Sequence, residues 1–376
     1  MIKLRHGNVV HQLLLLLSVS GEFPAQSLGI LGNAKMIKRT VHRLESIQDF
    51  SLYSDDSIIR LKLFLVSGKR DKRTIRLFKG SLSVLSEIHP DALSCYLDSF
   101  PSRFSGNDAH VYRNHRVAEA LAMCFRAGIE IRPYVLPKLQ KKDILSLIPE
   151  LTGYYTARYL KKLDVTELNK TIFTRMVGAV FYPGGVYSVY NTRDAVMKWS
   201  GMGELKARQD LTEIARMNAG LDEVNSAILF GRDISVALKT LIESDKTKKM
   251  ELRFDKIYNN IYFLPMNNDG IELLKILVLP DWNAKLLNIL LPPEMRKTGY
   301  GFMEYDGFFE GKYIFSFINS NIARLVRLKE ALKFQKENFE ILCLSWQVKF
   351  LKGFLDETVS YRVYEIDAIK KALGVK

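Results

Sequence analysis

Between Asn33 and Phe78 the hydrophobic pattern changes its period once, from about 3.6 residues to about 2, and this change fixes the plan of the N-terminal part. Ile37, Val41 and Leu44 stand at i, i+4 and i+7, which predicts a helix from Ala34 to about Ser46 with Asn33 as its N-cap. Lys35, Lys38, Arg39, His42 and Arg43 fall mainly on its other faces. Before it, residues 6–19 read as a helix with an apolar core, and residues 24–31 as a second, short one. After it the chain alternates. Phe50 to Tyr53 reads as a short strand, Ser57 to Val66 as a longer one rich in branched residues, and Thr74 to Phe78 as its partner. The segment between them, Ser67 to Arg73, is a basic hairpin tip carrying Lys69, Arg70, Lys72 and Arg73.

Three helices followed by a hairpin is the plan of a winged helix-turn-helix. Its third helix enters the major groove and its hairpin, the wing, tracks the adjacent backbone. Charge supports this expectation. Residues 1–80 hold 14 Lys/Arg against 6 Asp/Glu, more than half of the chain's net charge of +14. A basic cluster on a turn suits phosphate contact, because each neutralised phosphate releases condensed counterions. The candidate DNA-binding residues are therefore Lys35, Lys38, Arg39, His42 and Arg43 on the helix and Lys69, Arg70, Lys72 and Arg73 on the wing. The plainer reading is a solvated helix face and a soluble turn, and a winged helix also serves in protein–protein contact.

The length of 376 residues allows two or three domains with sizeable cores. With 47% hydrophobic and 26% charged residues the composition is that of a globular chain, not a disordered one. Cys95, Cys124 and Cys343 are odd in number and far apart, which favours a reducing compartment and disfavours a structural zinc site. All six histidines lie at or before His115, so a Ser-His-Asp triad or a His-Cys zinc site is excluded from the rest. The run Leu13 to Leu17 resembles a short secretory signal, but His6, Asn8, His11 and Gln12 interrupt its approach. It reads better as the buried first helix. No stretch has the ~20 apolar residues of a membrane span, so the expectation is a cytoplasmic protein with no membrane partner.

Beyond the wing, residues 81–100 read as a helix broken at His89-Pro90, and residues 101–109 as a domain boundary. His110 to Ala127 reads as a helix stopped by Gly128, and Ile129 to Leu136 as a strand. A helix near 154–163 is followed by strands at 171–182, Val186 to Tyr190 and Ala195 to Trp199, with turns at Pro183 to Gly185 and Asn191 to Asp194. A helix from about Gly203 to Met217 opens an alternation of strands and helices that runs to Ile366. The expected fold is α+β or α/β: a winged helix over residues 1–100, a mixed-sheet domain over 110–250, and an α/β extension over 251–376 that either continues that domain or forms another. There is no repeat at a fixed period.

The leucine-rich first helix, the basic wing, the segment Arg113-Asn114-His115-Arg116-Val117-Ala118-Glu119 opening a helix, and the strand–turn block around Pro183 together resemble the replication-relaxation proteins of Gram-positive plasmids and integrative conjugative elements. The resemblance runs loosely over residues 6–220. It implies a DNA-binding protein of a mobile element, acting in replication or transfer, whose second domain is a restriction-endonuclease-like PD-(D/E)XK fold. In that fold an Asp after Pro, and an acidic residue two before a Lys, would hold a divalent cation for phosphodiester hydrolysis. Here Gly184 follows Pro183, and Val196-Met197-Lys198 stands for acidic-x-Lys, so only Lys198 survives and the site reads as degenerate. Asp194, Glu204 and Lys206 offer a rival register, but the last two fall at a helix start and read as ordinary first-turn and surface residues. His110-Val-Tyr-Arg113 matches a recombinase spacing without its flanking pattern, and His115 reads as a packing residue. No phosphate loop of Walker type is present.

The resulting expectation is a non-catalytic binder of double-stranded DNA with no cofactor and no metal. Contacts with other replication or transfer proteins, and a homodimer, stay open. The alternatives are a metal-dependent nuclease and a winged-helix interaction module or transcriptional regulator.

Overall fold

The structure, a computed structural model, describes residues 2–5, 7–51, 58–100, 107–131, 152–163, 175–197, 202–246, 257–297, 304–334, 338–355 and 359–375. It is a mixed α+β fold with several sheets, and among the described residues no sheet closes into a barrel.

The N-terminal part runs β1 (Ile2–Lys3), α1 (Val9–Ser20), β2 (Glu22–Pro24), a 3-10 turn (Ala25–Leu31), α2 (Ala34–Leu44), β3 (Gln48–Ser51), β4 (Ile58–Leu61), β5 (Phe64–Ser67), β6 (Thr74–Leu77), α3 (Ser81–Ile88) and α4 (Pro90–Ser99). Helix α1 is buried on nearly every side: Leu13, Leu14, Leu16 and Leu17 have no exposed surface. Its start is fixed by Asn8, whose side chain accepts from the His11 amide at 2.8 Å. Helix α2 matches the sequence reading. Asn33 caps it, accepting from the Met36 amide at 3.1 Å, and Ile37, Val41 and Leu44 form its buried stripe. Strands β2, β6 and β5 form an antiparallel sheet in that order, with Phe23 opposite Ile75 and Ile75 opposite Val66.

One strand was expected from Ser57 to Val66; the structure has two, in different sheets. β4 pairs with β3, and β3 with β1, whereas β5 pairs with β6. The break falls at Lys62-Leu63, where the Leu63 amide bonds to the Leu44 carbonyl at the end of α2 and the Leu63 carbonyl accepts from Phe78. That backbone is spent on other partners, so the ladder cannot run through it. Of the boundary expected at 101–109, residues 101–106 lie outside the described residues, and the rest is not linker: Asn107 caps a helix that starts at Asp108.

Helix α5 (Asp108–Arg126) joins the two parts, packing on β2 and the 3-10 turn on one side and on the central sheet on the other. That sheet contains β7 (Gly153–Thr156), β8 (Met176–Tyr182), β9 (Gly185–Arg193), β10 (Ser226–Gly231) and β11 (Asn260–Pro265), in the order β11-β10-β9-β8-β7. β7, β8 and β9 run antiparallel; β9, β10 and β11 run parallel, linked by α7 (Met202–Ala219) and α8 (Ile234–Lys246). The sheet therefore crosses residue 250.

Three local expectations need correction. Residues 153–156 are strand, and α6 (Ala157–Leu163) starts only after them. The expected turn at Asn191 to Asp194 is strand as far as Arg193, because β9 continues beside β10. Residues 195–197 are not strand, and Lys198 and Trp199 lie outside the described residues. Of the strand expected at 129–136, only a single bridge from Glu130 to Gly153 falls among the described residues.

Beyond β11 come α9 (Asn268–Leu277), α10 (Trp282–Leu290), β12 (Gly307–Phe309), β13 (Lys312–Ser316), α11 (Ile322–Leu332), β14 (Phe339–Leu344), α12 (Val348–Phe354), β15 (Val359–Tyr364) and α13 (Ile366–Leu373). The order hairpin, helix, strand, helix, strand, helix that starts at β8 thus starts again at β12. Each time the first strand pair is antiparallel and the next two are parallel. Matching helices pack on one another, α8 on α12 and α9 on α13. The spacing between matching strands shrinks along the chain, so no fixed sequence period records this duplication. Among the described residues no helix is long and apolar enough to cross a membrane.

Candidate nucleic-acid interface

Because Ile37, Val41 and Leu44 anchor α2 to the core, its opposite side faces outward. At about 100° per residue, Lys35, Lys38, Arg39, His42 and Arg43 fall within an arc of about 140° opposite the buried stripe. All five are exposed. His42 lies 3.5 Å from Glu45, and Arg43 Nε donates to Gln48 at 3.3 Å. The remaining cations on this face carry no carboxylate close enough to neutralise them among the described residues.

The hairpin of β5 and β6 stands beside this helix. A groove of about 460 Å³ runs between them. Lys38, His42 and the carboxylate of Glu45 at the end of α2 line it with Arg70 and Arg73 from the hairpin, over an apolar floor of Leu28, Val41, Val66 and Ile75. Lys35, Arg39 and Arg43 line a shallower concavity on the other flank of α2, beside Met36 and Thr40. Of the nine residues expected from sequence, Lys38, His42, Arg70 and Arg73 thus meet at one groove, and the other five do not line it. Lys69 is exposed at the hairpin tip, next to a 3-10 turn at Arg70–Lys72.

Lys72 departs from expectation. It is half-buried, and its ammonium donates to Asp108 at 2.5 Å, at the start of α5. This bond raises its pKa above the ordinary lysine value. Its neighbour Asp71 accepts from the Tyr112 hydroxyl, which holds the carboxyl below its ordinary value. The hairpin is therefore fastened to α5 on its far side, and Lys72 serves that attachment.

The attachment continues inward as a polar seam. Thr74 Oγ1 lies 2.7 Å from His115 Nε2. Glu22, buried in β2, pairs with Arg76 and accepts from Asn114 at 2.6 Å. Ser27 in the 3-10 turn donates to Glu119 at 2.6 Å, and Asn191 in β9 donates to the other Glu119 oxygen at 3.0 Å. Burial raises the Glu119 pKa, and the Arg193 guanidinium, 3.2 Å away, works against that. Burial, reinforced by Arg193 and Arg76, pushes His115 down to about 4. His115 is thus a neutral packing group at the core of the junction.

Sequence reasoning missed this seam. Asp108, Tyr112, His115 and Glu119 stand at i, i+4, i+7 and i+11, a polar stripe at helical spacing on α5. Each bonds to the N-terminal part. That spacing was the available signal.

The residues weighed for nuclease chemistry have structural partners. Asp194 pairs with Arg232 at 2.5 Å. Glu204 does lie in the first turn of α7, but it is buried and paired with Arg175 at 3.2 Å, not at the surface as expected; Lys206 is exposed. Lys198 lies outside the described residues. Among the described residues no group of three or more His, Cys, Asp or Glu is placed to hold a metal ion. The three cysteines are buried and form no disulfide with one another. Comparison of the chain with protein-family models, with curated proteins and with solved structures gives no match.

Proposed function

We propose that this chain binds double-stranded DNA through an N-terminal winged helix and acts without catalysis, as a protein of a mobile genetic element. The order α1, β2, 3-10 turn, α2 and then, after the separately paired β3 and β4, the β5–β6 hairpin, with the antiparallel sheet of β2, β6 and β5, supports the winged-helix reading. In it α2 is the reading helix and the β5–β6 hairpin the wing. The antiparallel strands β7 to β9, followed by parallel crossovers, support an endonuclease-like scaffold. The resemblance to replication-relaxation proteins supports a role in plasmid or conjugative-element replication or transfer.

One observation carries the reading: Lys38 and His42 of the helix share a groove with Arg70 and Arg73 of the hairpin. Basic side chains converging from two elements onto one concave surface match a phosphate backbone wedged between helix and wing better than they match a solvated face. Replacing these four by alanine should weaken duplex binding by about tenfold or more, across all sequences. A parent chain that shifts no duplex at low salt would refute the reading.

The apolar floor of the groove favours a second reading. Leu28, Val41, Val66 and Ile75, with Met36 half-exposed nearby, offer a protein segment something to bury against. Binding of a protein partner unaffected by duplex DNA would favour it.

A further inference from the structure

The carboxyl ends of β9 and β10, where the sheet changes from antiparallel to parallel, hold a second basic cluster. Four guanidiniums gather there: Arg175 at the start of β8, Arg193 at the end of β9, Arg232 just after β10, and Arg116 on α5. The Arg232 amide donates to the Arg193 carbonyl at 2.8 Å, and the Arg116 carbonyl accepts from Asn191 at 3.0 Å, which ties these elements together.

Three carboxylates answer these four cations. Arg175 pairs with Glu204, Arg232 with Asp194, and Arg193 with Glu119. Arg116 is left over: half-buried, with no ion pair among the described residues and no hydrogen-bond partner for its Nε. Burial, with Arg193 and Arg175 close by, lowers its pKa. Arg193 is only 7% exposed, and its Nη2 also has no partner. Its backbone adopts φ 57°, at a bulge where the β9–β10 register skips Thr192. A bulge at a sheet end re-aims a side chain, and a non-glycine residue in this region is strained.

We infer that the carboxyl end of this sheet, between Arg116 and Arg193, is a second binding site, for a phosphate group. A phosphate seated against the accessible part of Arg116 would neutralise the surplus cation and, with a shift of the two side chains, accept from Arg116 Nε and Arg193 Nη2, which carry almost no solvent surface here. Arg116 stands on α5, the helix that also holds the hairpin through Asp108 and Tyr112. The phosphate comes either from duplex DNA running on past the hairpin or from a free phosphorylated compound.

Inorganic phosphate is the probe, titrated against thermal unfolding of the full chain with sodium chloride at matched ionic strength as reference. The parent should be stabilised by phosphate beyond chloride. Arg116→Gln should need about tenfold more phosphate for the same stabilisation. Without phosphate it should melt no lower than the parent, because a repelled cation has gone; a purely structural arginine would leave a less stable protein. Lys285→Gln, exposed on α10, should respond as the parent does. If Arg116→Gln does not fold, Arg116→Lys, which keeps the charge but loses the fork, should show a weakened response. No phosphate effect beyond chloride in the parent, or equal effects in parent and Arg116 variants, would overturn the site. Duplex titration then identifies the source: weaker binding by Arg116→Gln assigns the phosphate to DNA, and unchanged binding assigns it to a free compound. Phosphate binding without duplex binding would leave this site standing and remove the winged-helix reading.

Discussion

His115 Nε2 lies 2.7 Å from Thr74 Oγ1, so a buried imidazole on α5 fastens the second strand of the basic hairpin to the body of the protein. Burial holds this imidazole at about 4, below its ordinary value of 6.5. The folded chain keeps it neutral while the unfolded chain takes up a proton. The stabilisation is therefore complete above the ordinary histidine value and is lost as pH falls toward the folded value.

This gives the first prediction. Between those two pH values the chain should lose up to about 3 kcal/mol through His115, with no further loss from this group below them. Denaturant unfolding over a pH series compares the parent with His115→Gln. The variant should show a flatter dependence in this window, and parallel curves would mean that the imidazole is not held neutral.

Glu119 is, with Glu22, one of two carboxylates of the seam that are only 1% exposed, and Ser27, Asn191 and Arg193 all turn toward it. Removing it strands a buried guanidinium. Glu119→Ala should cost about 3–5 kcal/mol, as expected for breaking a buried pair from one side. Glu119→Gln keeps the bond from Ser27 and should cost less. Equal losses would show that charge plays no part there.

Lys72 and its neighbours should separate in duplex binding. Arg70 and Arg73 line the groove, whereas Lys72 is held by Asp108. Single alanine substitutions measured by fluorescence anisotropy should weaken binding clearly at Arg70 and Arg73 and least at Lys72. A Lys72 effect as large as theirs would mean that the Asp108 pair opens when DNA binds.

The elements legible in the sequence were those whose side chains declare their surroundings locally. Asn33 and the Ile37, Val41, Leu44 stripe gave α2 its start and its inner face, and the cations between them marked its outer face. The paired branched runs around Ser67 to Arg73 gave the hairpin. The errors came where tertiary partners overrode local chemistry. Asn191-Thr192-Arg193 has the composition of a turn, yet it stays in β9 because Glu119 and the Arg116 carbonyl satisfy Asn191 inside the protein. Ser57 to Val66 looks like one strand because the bonds that divide it come from Leu44 and Phe78, which are distant in sequence or across the hairpin. Lys72 looks like its neighbours until Asp108, 36 residues on, is placed beside it. The repeated ββαβαβα order was invisible because strand spacing is not conserved between the two copies.

Salt dependence of duplex affinity tests the proposed interface most directly. Each phosphate contact adds about 0.9 to the slope of log affinity against log salt on B-DNA. Arg70→Ala with Arg73→Ala should weaken binding at every sequence and flatten that slope by about 2. A double variant that binds with the parent's affinity and slope would show that the hairpin does not touch the backbone.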